Sequence, residues 1–404
     1  MQKVIKCGYL LDCNGSEPIK DGVILIEGER IAAAGKLGDF AVPSGAEVID
    51  LGGAYVMPGM IDCHLHVGMN GMPSFEMSLV KELVPTHALK GMLYAQKDLN
   101  AGFTSLRDVG ELGYIDIAIK KAINDSLYQG PRMQVAGKVL STTGGHGDTH
   151  FVPEVDFEGL GIVVDSPDAA RKAARENLKH GADLVKISAT GGVMSDGDEP
   201  GAQQLTFEEM KAALDEAKKV GKGSAAHAQG TKGIKDAIRA GVRSIDHGFW
   251  LDDEACEMML VNDTFMVPTL VAVYGIVENG VAAGIPDYAV RKAKAAQADH
   301  LESFRLAMRK GVKIAMGTDA GTPFNYHGKN AFELELMVRA GMPAEQAVLT
   351  TTKLAAELMG WEDHVGSIAP GKYADIIAVP GNPLADIKVL QDVRFVMKGG
   401  AVIR

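Results

Sequence analysis

Between residues 57 and 360, short apolar runs alternate with segments of helical period, and this alternation restricts the chain to few folds. The runs are MIDCHLHV, FTSLRDV, RMQVAGKVL, DLVKISA, GSAAHA, SIDHG, TFMVPTL and VKIAMGTDA. Helix-period segments separate most of them. SPDAARKAARENLKHG has a Ser166-Pro167 start and a Gly181 stop. TFEEMKAALDEAKKVG opens at Thr206, places Glu209 at the capping-box position and stops at Gly221, and TKGIKDAIRAG is a shorter case. Eight strands in β-then-α order predict an α/β fold, a (β/α)8 barrel of the TIM type. An open doubly wound sheet is the rival. No G-x-G-x-x-G follows an early strand, so a dinucleotide site has no support.

Both ends of the chain read differently. KVIKCGYLLD, GVILIEGERIAAAG and AEVIDLGGAYVMPG at the front, and GSIAPGKYADIIAVPG and VRFVMKGGAVIR at the back, are short apolar strands divided by glycine-rich turns. Neither end has enough strands for a stable sheet alone. They are therefore expected to pair into one small β-sandwich domain, residues 1–56 and 361–404, with the barrel of residues 57–360 inserted between them.

Composition narrows the partners. Hydrophobic residues make up 46% and charged residues 23% of 404, which suits a globular chain with a sizeable core. A net charge of −11 disfavours nucleic acid and anionic membrane, both of which need a basic face. The expected partner is a small-molecule or dipeptide substrate, with a homo-oligomer left open. Cys7, Cys13, Cys63 and Cys256 show no C-x-x-C spacing, and a reducing cytoplasm fits. MQKVIKCGYLLDCNG has no uninterrupted apolar core of a signal peptide, and no apolar run reaches the ~18 residues of a membrane span.

A barrel demands that chemistry gather at the C-terminal ends of its strands. His64 and His66 end the first strand, Lys186 lies in the fourth, His227 ends the fifth, His247 the sixth and Asp319 the eighth. Alternation turns His64 and His66 to one side, as metal ligands or as two polar residues on a solvated face. Taken singly, His227 and His247 read as hydrogen-bonded core histidines and Asp319 as a helix N-cap. Lys186 is harder to place so, because an unpaired ammonium in an apolar strand is costly. Six such accidents at one mouth of one barrel are a poor joint explanation.

In this order, PGMIDCHLH, the Lys186 strand, His227, His247 and GTDAG resemble the amidohydrolase superfamily over nearly the whole chain, and the terminal segments resemble its β-sandwich. STTGGHGD, Ser141 to Asp148, narrows the likeness to imidazolonepropionase-like proteins and metal-dependent Xaa-Pro and Xaa-Arg dipeptidases. The resemblance implies two divalent metal ions, one held by His64, His66 and Asp319 and the other by His227 and His247. Zinc suits these donors, and manganese and iron are compatible. It also implies that Lys186 is N6-carboxylysine, a CO2-derived carbamate bridging the two ions. A bridging hydroxide would attack an amide carbonyl. Asp319 would shuttle the proton to the leaving amine, and His146 would contact the developing oxyanion.

Substrate-binding candidates are Gln229, two residues past His227, and Tyr274, placed in the leaving-group pocket with a packed aromatic as its alternative. Arg107 could meet a carboxylate or serve in a structural pair, and Tyr326 and His327 follow Asp319 in a loop that could cover the pocket. The expected activity is hydrolysis of a dipeptide or N-acyl amino acid, Xaa-Pro first, then N-acyl aromatic amino acids and toxin-like amides. A mononuclear deaminase or imidazolone ring hydrolase is disfavoured by Lys186 and by the absence of a glutamate in HAQGTKG. A phosphotriesterase or lactonase would share the ligand set. A scaffold that kept the barrel without its chemistry predicts a lost ligand, and none is lost.

Overall fold

The computed structural model describes residues 2–15, 17–74, 76–148 and 159–404. The chain opens with β1 (Gln2–Leu10), β2 (Ile19–Glu27), β3 (Arg30–Lys36), β4 (Glu47–Asp50) and β5 (Tyr55–Pro58). It continues through the parallel strands β6 (Met60–Leu65), β7 (Phe103–Asp108), β8 (Arg132–Val135), β9 (Val139–Ser141), β10 (Gly161–Val163), β11 (Leu184–Ser188), β12 (Gly223–Ala228), β13 (Ser244–His247) and β14 (Phe265–Val267). It closes with β15 (Ile376–Val379), β16 (Phe395–Lys398) and β17 (Ala401–Val402).

The two ends meet in one sheet of order β17-β16-β15-β5-β1-β2-β3, with β4 added beside β1. β15 pairs antiparallel with β5, so a strand from the far end borders one from the beginning. Alternation puts Ile5, Ile24 and Ile26 in one apolar cluster and Val4, Val23 and Leu25 in another. Hydrogen bonds run through all eight strands as one sheet, so the two layers expected of a sandwich are not separate ladders.

The central strands form two parallel sheets, β6-β7-β8 and β10-β9-β11-β12-β13-β14. Among the described residues they make no single closed ladder. On one side the expected strand RMQVAGKVL is split: Gly137 takes a φ of 72°, its N–H goes to Asp116, and β8 and β9 part around it. One backbone bond, Asp183 N–H to Val135 O at 2.7 Å, crosses the gap. On the other side VKIAMGTDA forms no regular strand. It runs between β14 and β6 through the isolated bridges Met266–Ile314 and Leu65–Ala320, and Cys63 N–H donates to Met316 O.

The helix signals read from sequence are realised. Ser166 Oγ accepts from Ala169 N–H at the head of Pro167–His180, and Gly181 ends that helix at a φ of 111°. Thr206 and Glu209 form the reciprocal capping box of Phe207–Lys219. None of the described helices is long and apolar enough to cross a membrane.

Candidate active site

The strand ends place His64, His66, Lys186, His227, His247 and Asp319 around one cleft. Asp319 leaves the irregular final segment at a φ of 62°. Its Oδ1 then lies 3.5 Å from His64 Nε2 and 3.4 Å from His66 Nε2. These three residues offer donor atoms within 4.8 Å of one another, the spacing of a shared cation. The ring centroids of His247 stand 4.9 Å from His64 and 4.6 Å from His227, so the second histidine pair adjoins the first.

The opposite ring nitrogens are held by the protein. His66 Nδ1 is 2.7 Å from Gly110 O, His247 Nδ1 is 2.7 Å from Thr269 Oγ1, and His227 Nε2 is 3.0 Å from Gly191 O. Anchoring one nitrogen fixes the ring and leaves the other for a ligand. Burial, with the neighbouring His and Lys charges adding to it, holds His227 and His247 well below the ordinary imidazole range. Neutral imidazole is the form that binds metal. The donor set therefore fits divalent ions at these residues.

Lys186 is 2% exposed and its ammonium donates to Asp246 Oδ2. Burial pulls this amine below the ordinary lysine range while Asp246 opposes the shift. Asp246 has no exposed surface. It also accepts from Ser244 Oγ at 2.8 Å and from Arg107 at 3.3 Å, and its Oδ2 lies 3.1 Å from His64 Nδ1 without hydrogen-bond alignment.

Sequence reasoning missed Asp246. The signal was present in SIDHG, since a carboxylate in an apolar strand is as expensive as Lys186. Arg107 takes the structural alternative: its guanidinium binds Cys63 O, Ser244 Oγ and Asp246 under the cleft floor.

His146 lines the cleft, its ring stacked 4.0 Å from that of His227. Gln229 also lines it, 3% exposed, and its buried Oε1 has no hydrogen-bond partner among the described residues. Tyr274 is a correction. It packs edge-on against Phe332 and borders a separate cavity. The helix Leu270–Asn279 turns Ala272, Val273 and Ile276 to the cleft, and Tyr274 lies off that stripe. His327 is likewise internal, bound to Asp98 at 2.8 Å and stacked on Tyr94, while Tyr326 stands over Gly71 at the surface.

A model of the amidohydrolase family matches residues 55–403. The chain belongs to this family. A crystal structure of a Xaa-Pro dipeptidase with methionine bound in its active site superposes on this amidohydrolase with a TM-score of 0.93, at 37% identity over 100% of both chains. A prolidase complexed with N-methylphosphonate-L-proline gives a TM-score of 0.91 at 32% identity, again over 100% of both chains. Ochratoxinase from Aspergillus niger is 31% identical over 432 aligned positions, covering 99% of this chain and 86% of the relative. Its crystal structure gives a TM-score of 0.87. This amidohydrolase is a hydrolytic enzyme of the amide-cleaving kind.

Proposed function

We propose that this amidohydrolase cleaves the amide bond of a dipeptide or N-acyl amino acid, with Xaa-Pro dipeptides as the first substrate class. One observation carries the reading: five imidazole and carboxylate donors and Lys186 converge in a cleft that also presents an apolar stretch of wall. Likeness to a Xaa-Pro dipeptidase and a prolidase supports it. The apolar wall, with Val193, Met194, Phe249, Val273 and Ile276, also favours a second reading, an N-acyl aromatic amino acid or toxin-like amide. Likeness to ochratoxinase points the same way.

His64, His66 and Asp319 would hold one divalent ion and His227 and His247 the other, with zinc as the proposed metal and a Lys186 carbamate between them. Such ions, when bound, polarise a carbonyl and supply a nucleophile at neutral pH. The protein's own groups do the rest. Asp319, the carboxylate facing both His64 and His66, takes a proton during attack and returns it to the leaving amine. Gln229 presents its amide to the substrate's carboxylate or carbonyl. The apolar wall sheds water from the side chain it receives. Residues 57–360 would act as the barrel-like catalytic domain, residues 1–56 and 361–404 as its supporting β-domain, in a cytoplasmic enzyme.

The test is a library of Xaa-Pro dipeptides and N-acyl amino acids read by mass spectrometry. We expect release of the free C-terminal amino acid, loss after chelation and return with zinc. Metal analysis should give about two ions per chain. Labelled bicarbonate should give a carbamate NMR signal that Lys186→Met removes. Cleavage of no member, with metal bound, overturns the reading.

A further inference from the structure

The helix Leu270–Asn279 begins without the cap that its sequence offers. Thr269 is its N-cap residue, and a threonine there ordinarily accepts from the second or third N–H of the helix. Here its hydroxyl makes no such bond. Thr269 Oγ1 lies 2.7 Å from His247 Nδ1 instead. Its backbone stands at φ 52° and ψ 45°, the left-handed region that β-branched residues avoid, whereas a capping threonine is extended. Thr269 is thus turned from its own helix toward the cleft.

Two buried side chains from neighbouring helices clamp the turn. Glu333, in the helix Phe332–Arg339, has no exposed surface. Its Oε1 accepts from Leu270 N–H at 2.8 Å and its Oε2 from Val271 N–H at 2.7 Å, two of the donors that a helix start leaves without partners. From the helix Asp287–Lys310, His300 Nε2 donates to Pro268 O at 2.7 Å. Neither residue takes part in the chemistry assigned above.

We propose that Glu333 is a positioning residue for His247: it caps the helix in place of Thr269 and so keeps the Thr269 hydroxyl on the imidazole. A carboxylate suits the task. It offers one acceptor to each N–H and sets a negative charge at the positive end of the helix. Without it, two buried N–H groups lose their acceptor, which is costly, and the Thr269 hydroxyl is the replacement next to them in the chain. Thr269 then relaxes to extended backbone, its Oγ1 turns to the helix, and His247 loses its anchor. The same helix carries Ala272, Val273 and Ile276 to the cleft, so one carboxylate ties the apolar wall and His247 to a common frame.

The inference rests on the reading of His247 as a metal ligand. The test is zinc binding by the full chain, measured by competition with a chelator. Glu333→Gln keeps the shape but offers one acceptor and turns an amide NH2 toward the other backbone N–H. We expect the affinity for one of the two ions to fall about 10–100-fold in Glu333→Gln, and equally in Thr269→Ala, which removes the hydroxyl. The double variant should bind no more weakly than Thr269→Ala alone, because both changes act through one bond. Ser166→Ala removes the cap of the helix Pro167–His180 and should keep wild-type affinity, which separates positioning from a general loss of stability. A crystal structure of Glu333→Gln should show Thr269 extended, with Oγ1 on the N–H of Val271 or Ala272.

Wild-type affinity in Glu333→Gln, or a double-variant loss equal to the product of the single losses, overturns the proposal. Should Glu333→Gln fail to fold, Glu333→Asp, whose carboxylate is one methylene short, takes its place in the cycle. A wild-type chain that binds no zinc sinks the metal-centre reading. The crystal structure of the variant then decides alone, and a Thr269 that is still left-handed and still on His247 overturns the proposal.

Discussion

Arg107→Leu should unfold this protein more easily than any surface change, and the size of the loss follows from three bonds. The guanidinium is 1% exposed and donates to Cys63 O at 2.6 Å, to Ser244 Oγ at 2.9 Å and to Asp246 at 3.3 Å. It joins β7 to β6 and β13, the strands that carry His64 and His247. Breaking a buried ion pair by removing one partner costs about 3–5 kcal/mol. Asp246 keeps Lys186 and Ser244, so the lower end applies. A stranded Cys63 carbonyl adds about 1–3 kcal/mol. The expected loss is about 4–6 kcal/mol, read from urea unfolding followed by the fluorescence of Trp250 and Trp361 at matched metal content. Arg107→Leu with Asp246→Asn should lose about 1–3 kcal/mol less than the sum of the two single variants, because the same pair is counted twice. A single variant within about 0.5 kcal/mol of wild type, the range of ordinary surface changes, would refute the reasoning.

Other outcomes follow from single contacts. Gly192→Ala puts a methyl group 2.2 Å from His146 Nδ1, so the ring must move and kcat/KM should fall about 100-fold; full activity would refute the close fit. Burial pushes the thiols of Cys7, Cys13 and Cys63 up to about 12 and that of Cys256 to about 11, so none should react with a disulfide reagent at pH 8 until the chain is unfolded, when all should. Lys398 is lowered to about 8, first by burial and then by Arg132. Between pH 8 and its ordinary 10.5 the unfolded chain binds a proton that the folded chain does not, so stability rises with pH across that window. Lys398→Met should flatten this rise in denaturant midpoints taken at the two ends of the window, and an equal slope in both proteins would count against it.

The strand-and-helix alternation carried most of the fold, because periodicity and caps are local properties that a sequence displays directly. The capping box at Thr206 and the stop at Gly181 needed no tertiary knowledge. What lay hidden depended on partners. RMQVAGKVL reads as one strand until Asp116, at the head of the helix Ile115–Asn124, takes the N–H of Gly137. VKIAMGTDA has strand composition, yet its backbone follows Asp319 into a left-handed conformation, with Asp319 N–H turned to His64 O. In the site, the six donor positions were legible as polar interruptions of apolar strands. Asp246 obeyed the same rule and was passed over beside the more conspicuous His247. Tyr274 was misplaced because one-dimensional spacing does not say which face of Leu270–Asn279 meets the cleft.

The junction of β5 and β6 bears on how the enzyme is made. The two strands are separated by Gly59 alone, where any Cβ would strike Thr104 Oγ1 at 2.1 Å, so the backbone passes straight from the terminal sheet into the strand that delivers His64. The outer edge of β5 is covered by β15, and β15 leaves the ribosome only after the whole central region has been synthesised. Until then β5 offers an unpaired apolar edge containing Val56 and Met57, the kind of surface that chaperones shield. His64 and His66, the first of the cleft's six donor residues to be translated, are thus among the last to be held rigid.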